Sequence, residues 1–255
     1  MKYFVITDVH SFYKPMMEAL NKAGFDKDNP DHTLVSCGDL FDRGPDSKEV
    51  LEFVMSCPRR RLVQGNHESM LMDLLYGVRR PSYSDTHNGT IKTIEDLTGL
   101  STKNGALRVL REDPLFKQYL DELVNYFETE HYIFVHSWLP DRLVKKDGFF
   151  VTTYGDYKNA SYDEWEMARW GNPFEKWMTM QRSHENLGKT LVFGHWHTSY
   201  GHCWLHGEGK EFPVKKDNYK KECNFGPFYE DGIIGLDACT ALTGMCNCLV
   251  VEDCE

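Results

Sequence analysis

The feature that most constrains the fold is a threefold repeat of an apolar run, a polar loop and a helical pattern near the start of the chain. The apolar runs cover residues 2–7, 33–37 and 61–63. This alternation predicts an α/β fold built from βαβ units. Because such sheets place their sites at the carboxyl ends of the strands, we expect the chemistry to lie in the polar loops.

The loop of residues 38–44 follows the second apolar run and carries Asp39, Asp42 and Arg43. A single Gly-Asp pair after a strand is more often an ordinary turn than a site. Five predicted strand ends, however, carry Asp, Asn or His. These residues are Asp8 and His10, Asp39 and Asp42, Asn66 and His67, His136, and His195 and His197. Their mixture of oxygen and imidazole ligands suits manganese, iron or zinc, and disfavours an all-oxygen magnesium or calcium site.

A pair of metal ions is the arrangement that these residues favour. Two ions about 3.5 to 4 Å apart need one carboxylate between them. Asp39 is the natural bridge, because it lies between the loop of Asp8 and His10 and the loop of Asn66 in chain order. Such a pair activates a water as a nucleophile and holds the oxygens of a phosphoryl group during in-line displacement.

Three further residues predict the rest of the chemistry. His67 is placed to protonate the leaving oxygen, with Asp42 orienting and charging its imidazole. Arg43 presents a planar fork of donors that matches a phosphate. Gly38 and Gly44 flank this loop, where the φ freedom of glycine would permit a tight turn.

Together, five short motifs resemble those of the phosphoprotein-phosphatase branch of the calcineurin-like metallophosphoesterases. They are Asp8-Val9-His10, Gly38-Asp39-Leu40-Phe41-Asp42-Arg43-Gly44, Gly65-Asn66-His67-Glu68, Val135-His136 and Phe193-Gly194-His195. Their order and spread match that family over most of the chain. The resemblance implies a β-sandwich flanked by helices in α/β/β/α layers, formed by a single domain over residues 1–255 with a helical insertion at about residues 77–122.

The resemblance also implies two divalent metal ions, with manganese as the first expectation and iron or zinc as alternatives. The first ion would be held by Asp8, His10 and Asp39, and the second by Asp39, Asn66, His136 and His195. In that family, the residues that match Arg43 and His67 bind phosphate and serve as general acid, with Asp42 as the partner of His67. These implied roles agree with the chemistry derived from the residues alone.

Two positions depart from the usual family pattern. Trp138 follows two residues after His136, where it would narrow the pocket or stack on a substrate ring. His197 follows two residues after His195, as in the wider superfamily, where the second histidine reaches the first metal. It is therefore either an extra ligand of that metal or a residue that supports the ligands from behind.

The substrate contacts expected from the sequence are Arg43, Asn66 and one later arginine near a tryptophan. Arg169, which precedes Trp170, is the best candidate for this second phosphate-binding arginine, and Arg182 is a weaker one. An exposed arginine with no role in the site is the alternative for both.

Composition limits the partners and the compartment. The formal net charge of −10 argues against binding a nucleic-acid duplex, which needs a basic stripe. No run approaches the roughly 20 apolar residues of a membrane helix, and Met1 is followed by a strand pattern instead of a signal-peptide core. We therefore expect a cytoplasmic protein with reduced cysteines, although a zinc site formed by Cys203, Cys223, Cys239 and Cys254 is a less favoured alternative.

The rest of the chain is less regular. The pattern of residues 77–122 predicts a helical insertion. It indicates a cap over the site and a mere surface elaboration equally well. Residues 124–127 and 132–135 predict a hairpin that delivers His136, and residues 198–231 read as a loop.

The sequence therefore predicts a metal-dependent phosphoester hydrolase that works by direct attack of a di-metal-bound hydroxide. Phosphoserine or phosphothreonine proteins are the first choice of substrate. A dinucleoside polyphosphate, or another small phosphoester, is the alternative. A non-catalytic phosphate-binding module is a further alternative, which the complete set of ligand positions disfavours.

Overall fold

A computed structural model of the chain describes residues 1–102, 105–146, 148–181, 187–210 and 222–254. Its strands are β1 Lys2–Ile6, β2 His32–Ser36, β3 Arg60–Val63, β4 Leu123–Val124, β5 Phe127–Glu128, β6 Tyr132–Phe134, β7 Asp141–Lys146, β8 Phe149–Tyr154, β9 Thr190–Phe193, β10 Phe228–Glu230, β11 Ile233–Gly235 and β12 Leu249–Glu252. Its helices are α1 Tyr13–Ala23, α2 Ser47–Ser56, α3 Asn66–Leu75, α4 Tyr83–Asn88, α5 Thr90–Thr98, α6 Ala106–Glu112, α7 Pro114–Asp121, α8 Tyr162–Arg169, α9 Pro173–Gln181, α10 Thr198–His206 and α11 Thr240–Thr243.

Ten strands form two sheets of five. The first sheet has the order β12-β1-β2-β3-β4, in which β1 to β4 are parallel and β12 is antiparallel to β1. The second sheet has the order β10-β11-β9-β6-β5, with β11, β9 and β6 parallel. The parallel strands of each sheet therefore end at one edge, where the polar loops of the sequence follow them.

Three hydrophobic clusters show how the layers pack. One cluster lies between the sheets and includes Tyr3 and Val35 from the first sheet and Val192 from the second. Alternate residues of the strands, such as Phe4 and Leu34, instead pack with the helices outside the first sheet. A third cluster joins the second sheet to α8 and α9. Alternation along the strands thus gives each sheet two buried faces, and the predicted α/β/β/α sandwich is confirmed.

Several local predictions differ from the structure. Residues 124–127 do not form one strand, because β4 pairs with β3 of the first sheet while β5 pairs with β6 of the second. The stretch after His136 contains the hairpin β7–β8. The predicted loop at residues 198–231 begins with α10 and ends with β10. Helix α3 begins at Asn66, whereas the helical pattern of the sequence predicts a start at about Ser69.

Residues 77–122 form helices α4 to α7 in their described part. Ile94, Leu110 and Phe116 of this segment are buried in the cluster that covers the first sheet. The segment therefore belongs to the hydrophobic core, unlike the surface elaboration that was one of the two expectations. Within the described ranges, every helix is too short or too polar to cross a lipid bilayer.

Candidate metal centre

Unusual backbone conformations concentrate at the ends of the strands. Eight described residues other than glycine have a positive φ, and six of them are predicted site residues. These six are Asp8 (49°), His10 (51°), Asp39 (55°), Asp42 (72°), Arg43 (63°) and His195 (63°). Left-handed conformations are unfavourable for such residues and cluster at functional sites, where the surrounding structure holds them in place.

Two glycines let these loops approach one another. Gly38 has a φ of +90°, and a Cβ atom there would lie 2.8 Å from Nδ1 of His136. Gly44 does not have a positive φ, so φ freedom is not what this position requires. A Cβ atom at Gly44 would meet the carbonyl oxygen of Ser11 at 2.5 Å, and glycine is therefore required there for space.

The first group of predicted ligands converges around Asp39. The Nδ1 atom of His10 donates to the carbonyl oxygen of Phe41 at 2.9 Å. Its Nε2 atom faces the carboxylates of Asp8 at 4.0 Å and Asp39 at 3.9 Å. With Nδ1 carrying the proton, the Nε2 lone pair and the carboxylates point at a common space, as metal ligands do.

The second group lies on the other side of Asp39. The Nδ1 atom of His136 donates to the carbonyl oxygen of Cys37 at 2.8 Å, which leaves Nε2 as the inward atom. This Nε2 atom lies 2.8 Å from Oδ1 of Asn66, 3.1 Å from Nδ1 of His195 and 3.5 Å from Oδ1 of Asp39. Asp39 thus belongs to both groups, as the predicted bridge between two ions would.

The electrostatics of these residues fit divalent cations. Burial and the charges of Asp237 and Asp39 hold the pKa of Asp8 well above its usual range. Burial likewise raises the pKa of Asp237 to about 6. Burial lowers the pKa of His195 to about 3, which leaves its ring neutral and able to bind a metal. Buried carboxylates beside neutral imidazoles are costly without a cation, and a bound cation would remove that cost.

His67 and Asp42 form a separate pair beside these ligands. The Nδ1 atom of His67 lies 2.7 Å from Oδ2 of Asp42. Burial alone lowers the pKa of His67, but the charges of Asp39 and Asp42 outweigh it, so its pKa is raised. Arg43 lies alongside, with Nη2 3.4 Å from Nε2 of His67. The imidazole of His67 thus lies next to the Arg43 guanidinium, and both residues line the cavity described below.

Helix α5 holds the Asp42 carboxylate of this pair in place through hydrogen bonds. The Oγ1 atom of Thr90 donates to Oδ2 of Asp42 at 2.6 Å, and that of Thr93 donates to Oδ1 at 3.0 Å. The Thr93 oxygen also accepts the backbone N–H of Asp42 at 3.0 Å. Both threonines are fully buried. The segment of residues 77–122 therefore fixes the position of the Asp42 carboxylate.

Glu68 holds the loops of both metal groups together. Its carboxylate accepts the backbone N–H groups of Asp39, Leu40 and Gly65 at 2.8 to 2.9 Å. It also accepts the hydroxyl of Tyr119 at 3.1 Å. Burial and the nearby charge of Asp39 raise its pKa to about 7. One buried carboxylate thus satisfies donors from three separate parts of the chain.

A cavity of about 240 Å³ opens onto the predicted ligands Asp8, Asp39, Asn66 and His195 and onto His67. Two tryptophans that the sequence analysis did not select, Trp170 and Trp196, contribute aromatic walls. Trp170 is half exposed, and its ring centre lies 6.4 Å from that of His195. The described lining residues are Asp8, Asp39, Arg43, Asn66, His67, Met70, Asn88, Trp170, His195 and Trp196.

Five predicted site residues are not among the described lining residues of this cavity, and they are His10, Asp42, His136, Arg169 and His197. The contacts of the first three are given above, and Arg169 and His197 are placed as follows. Arg169 is 2% exposed, and its guanidinium donates to Glu166, Gln64 and Asn125. His197 precedes α10, with Nδ1 2.8 Å from the Ser199 hydroxyl. Their roles as phosphate contact and extra metal ligand stay predictions.

Trp138 is placed differently from the expectation. It is 1% exposed and packs against Tyr154 and Phe193 in the core cluster of the second sheet. A buried indole in that position cannot stack on a substrate ring, so this expectation is wrong. Arg182, the weaker arginine candidate, lies outside the described residues.

The sequence does not predict the supporting residues, for different reasons. Glu68 belongs to the motif of residues 65–68, and its position two residues after the candidate ligand Asn66 is the signal of a role. Thr90 and Thr93 are spaced three apart in the first turn of α5, so they share one face. Nothing in the sequence indicates that this face points at Asp42, because that contact joins residues about 50 positions apart.

Comparison with known proteins adds the family context. A family model described as calcineurin-like phosphoesterase matches residues 1–210. A symmetrical bis(5'-nucleosyl)-tetraphosphatase of Proteus mirabilis (strain HI4320) is 36% identical over 118 residues, which cover 46% of this chain and 40% of that protein. The asymmetrical bis(5'-nucleosyl)-tetraphosphatase PrpE of Bacillus velezensis is 32% identical over 127 residues, which cover 46% of this chain and 51% of that protein. The matches thus span about half the length of these relatives or less.

A solved structure shares the fold. The cold-active protein-tyrosine phosphatase of a psychrophilic Shewanella species superposes with a TM-score of 0.57 and 14% sequence identity, covering 98% of this chain and 75% of that one. At this identity the likeness concerns the fold alone.

Proposed function

The chain belongs to the calcineurin-like phosphoesterase family, and from this premise we propose that it hydrolyses dinucleoside polyphosphates of the bis(5'-nucleosyl) tetraphosphate type. The sequence alone favours phosphoproteins as the first choice of substrate and this class as the second. The names of both curated relatives support the reverse order. The observation that carries the proposal is the convergence of two ligand groups on Asp39, beside Arg43 and the His67–Asp42 pair.

The residues of the two groups would each have a separate task. Asp8 and His10 would bind one divalent ion, Asn66, His136 and His195 would bind the other, and Asp39 would bind both. When bound, the two ions would polarise the phosphoryl group and lower the pKa of a water, with manganese as the expected metal. For the second ion, the ligand atoms of Asp39, His136 and His195 lie within 4.8 Å of one another. For the first ion, Nε2 of His10 lies 4.0 Å from Asp8 and 3.9 Å from Asp39, although His67 also comes within 4.8 Å of His10 and Asp39.

The remaining residues act on the substrate itself. Arg43 would donate to a phosphoryl oxygen, and its guanidinium forks toward the cavity edge that also holds His67. His67 would hold a proton at Nε2 and give it to the leaving oxygen, because Asp42 keeps the imidazole charged and oriented. Asn66 would contact the phosphate as well as a metal.

The cavity supports a nucleotide over a bare phosphate. Trp170 and Trp196 offer aromatic surface next to the ligand groups, and the face of a nucleobase stacks on such side chains. A cavity of about 240 Å³ would take the phosphate chain and leave the base at the half-exposed Trp170. The eight free cysteines support a reducing compartment, and we propose the cytoplasm.

A substrate panel tests the proposal. Protein loaded with manganese should turn over diadenosine tetraphosphate with a kcat/KM at least roughly 10-fold above that for a phosphoserine peptide. A preference for the peptide would overturn the substrate class and restore the protein phosphatase. Lack of turnover of both substrates and of p-nitrophenyl phosphate would overturn the enzymatic proposal and leave a phosphate-binding module.

A further inference from the structure

Two groups of metal-ligating side chains lie outside the cavity in the described part of the chain. One is Glu130, His131 and Asp253, and the other is His202, His206 and Glu208. In the first group, the Asp253 carboxylate already accepts the Thr129 hydroxyl at 2.7 Å and both the backbone N–H and Nδ1 of His131 at 2.8 Å. These bonds satisfy the Asp253 carboxylate without an ion.

The second group is arranged differently. His202 and His206 are four residues apart on α10 and therefore lie on one face of the helix. The helix ends at Gly207, whose φ of 68° turns the chain so that the N–H of Glu208 donates to the carbonyl oxygen of His202 at 2.9 Å. This turn brings the Glu208 carboxylate to the same face. One ring nitrogen of each histidine and one carboxylate oxygen lie within 4.8 Å of one another.

The hydrogen bonds of His202 point to a cation. Its Nε2 atom lies 3.2 Å from the carbonyl oxygen of Gly226 and must carry a proton to donate to it. In the neutral ring, Nδ1 then presents a lone pair, and this atom lies 3.2 Å from Oε2 of Glu208. Two acceptors that face each other at this distance need a proton or a cation to hold them.

The geometry of these atoms suits zinc. Ligand nitrogen and oxygen atoms at about 2.0 to 2.2 Å from a tetrahedral zinc ion lie roughly 3.4 Å apart. The separation between Nδ1 of His202 and Oε2 of Glu208, 3.2 Å, is close to this value. His206 adds a further feature of metal-binding histidines, because its Nε2 atom lies 3.0 Å from Oε2 of Glu230. A carboxylate that fixes the ring of a ligating histidine in this way is common at zinc sites.

We propose that His202, His206 and Glu208 bind one divalent cation of the zinc class, at a site separate from the phosphoesterase centre. The ligand set of two imidazoles and one carboxylate is one that zinc uses in proteins. The ion would fix the rings of His202 and His206 at the end of α10. These rings contact Gly226, which precedes β10, and Glu230, which lies in β10, so the ion would also hold α10 against this part of the chain. None of His202, His206 and Glu208 is among the described lining residues of the phosphoesterase cavity. We therefore expect the ion to stabilise this part of the fold and to take no part in the proposed reaction.

The test counts bound metal in the whole chain. After saturation with zinc and removal of excess, the wild-type protein should retain one more equivalent than Glu208→Gln and His206→Asn. Glu208 is 57% exposed, so glutamine there leaves the fold intact and separates loss of the ion from misfolding. The matched control is His87→Asn, which changes an exposed histidine outside the group and should retain the wild-type content.

Two further readouts decide the outcome. Turnover of p-nitrophenyl phosphate should be equal in all four proteins, because none of these residues lines the cavity. Cobalt loaded in place of zinc should give the absorption of a tetrahedral site in the wild type and a smaller signal in Glu208→Gln. Equal metal content and equal cobalt spectra in all four proteins would overturn the proposal and identify His202 and Glu208 as an ordinary ion pair.

Discussion

The Nδ1 atom of His67 lies 2.7 Å from Oδ2 of Asp42, with both side chains buried and the other ring nitrogen of His67 next to Arg43. The charge of Asp39, together with the hydrogen bond and the charge of Asp42, raises the pKa of His67 in spite of its burial. The contact with Asp42 also fixes which ring nitrogen faces the substrate. The pair is therefore equipped to donate a proton at Nε2.

Replacing Asp42 by asparagine should lower the pKa of His67 and slow the reaction where the leaving group needs a proton. We expect the rate for an alkyl phosphate to fall about 100-fold or more, the usual contribution of a general acid. The rate for p-nitrophenyl phosphate should fall much less, because its leaving group departs without a proton. Equal losses for both substrates, or loss of bound metal, would show that Asp42 acts in another way.

Thr93→Val should weaken the hold on the Asp42 carboxylate. The change removes a donor to Oδ1 and an acceptor for the backbone N–H of Asp42, both buried. We expect the free energy of unfolding to fall by about 1–3 kcal/mol and kcat to fall roughly 10-fold through misplacement of His67. Thr98→Val on the same helix is the control, since the Thr98 hydroxyl donates only to backbone carbonyls of its own segment. Equal kcat values in the two variants would contradict the positioning role.

Tyr119→Phe and Glu68→Gln should lower the free energy of unfolding by different amounts, because they remove different parts of the hydrogen-bond network around Glu68. Removing the Tyr119 hydroxyl deletes one of four bonds to Glu68 and should cost about 1 kcal/mol of unfolding free energy. Glu68→Gln replaces an acceptor by a donor opposite a backbone N–H and should cost more, about 2–3 kcal/mol. Urea denaturation of both variants measures this order. A smaller cost for Glu68→Gln would contradict the account of Glu68 as the residue that joins the loops.

The contact between His131 and Asp253 predicts a pH dependence of stability. Asp253 raises the pKa of His131 above its usual value. A group with a raised folded pKa stabilises fully below its unfolded pKa of about 6.5 and loses that contribution as the pH rises through the folded pKa. The stability difference between wild type and His131→Ala should therefore be larger at pH 6 than at pH 9. A difference that is the same at both pH values would count against this ion pair.

Trp170→Ala should affect nucleotides selectively. Loss of a stacking surface costs about 1–3 kcal/mol per base, so the KM for diadenosine tetraphosphate should rise about 10-fold. The KM for p-nitrophenyl phosphate should change much less. Trp204→Ala, on an exposed tryptophan that is not among the lining residues, is the control. An unchanged KM for the dinucleotide would remove Trp170 from the substrate site.

The local pattern of the sequence indicates which strand ends lie close together better than it indicates their surroundings. Asp8, Asp39 and His195 follow buried parallel strands, and the sheet brings the ends of such strands together whatever else the chain does. Helix α10 was missed because Gly201 and several aromatic residues hide its amphipathic pattern. Apolar and polar periodicity therefore indicated the strands that precede the candidate ligands, but neither α10 nor the hairpin β7–β8.

Contacts between residues that are distant in the chain account for the side-chain positions that the sequence did not predict. Arg169 precedes a tryptophan, as expected of a phosphate contact, yet its partners Gln64 and Asn125 come from other parts of the chain. Trp138 lies two residues after the predicted ligand His136. Its side chain is nevertheless buried in the core of the second sheet, against Phe193. The sequence shows which residues are neighbours along the chain. The direction of a side chain depends on tertiary packing, which a local sequence pattern does not reveal.

The central claim is that Asp39 joins two metal ions that drive phosphoester hydrolysis. The direct measurement is the manganese content and the turnover of diadenosine tetraphosphate by wild type, Asp39→Asn and the control Asp163→Asn, in which an exposed carboxylate is changed. The account predicts two ions and full turnover in wild type and control, and loss of both ions and of turnover in Asp39→Asn. Full metal content and full turnover in Asp39→Asn would contradict it.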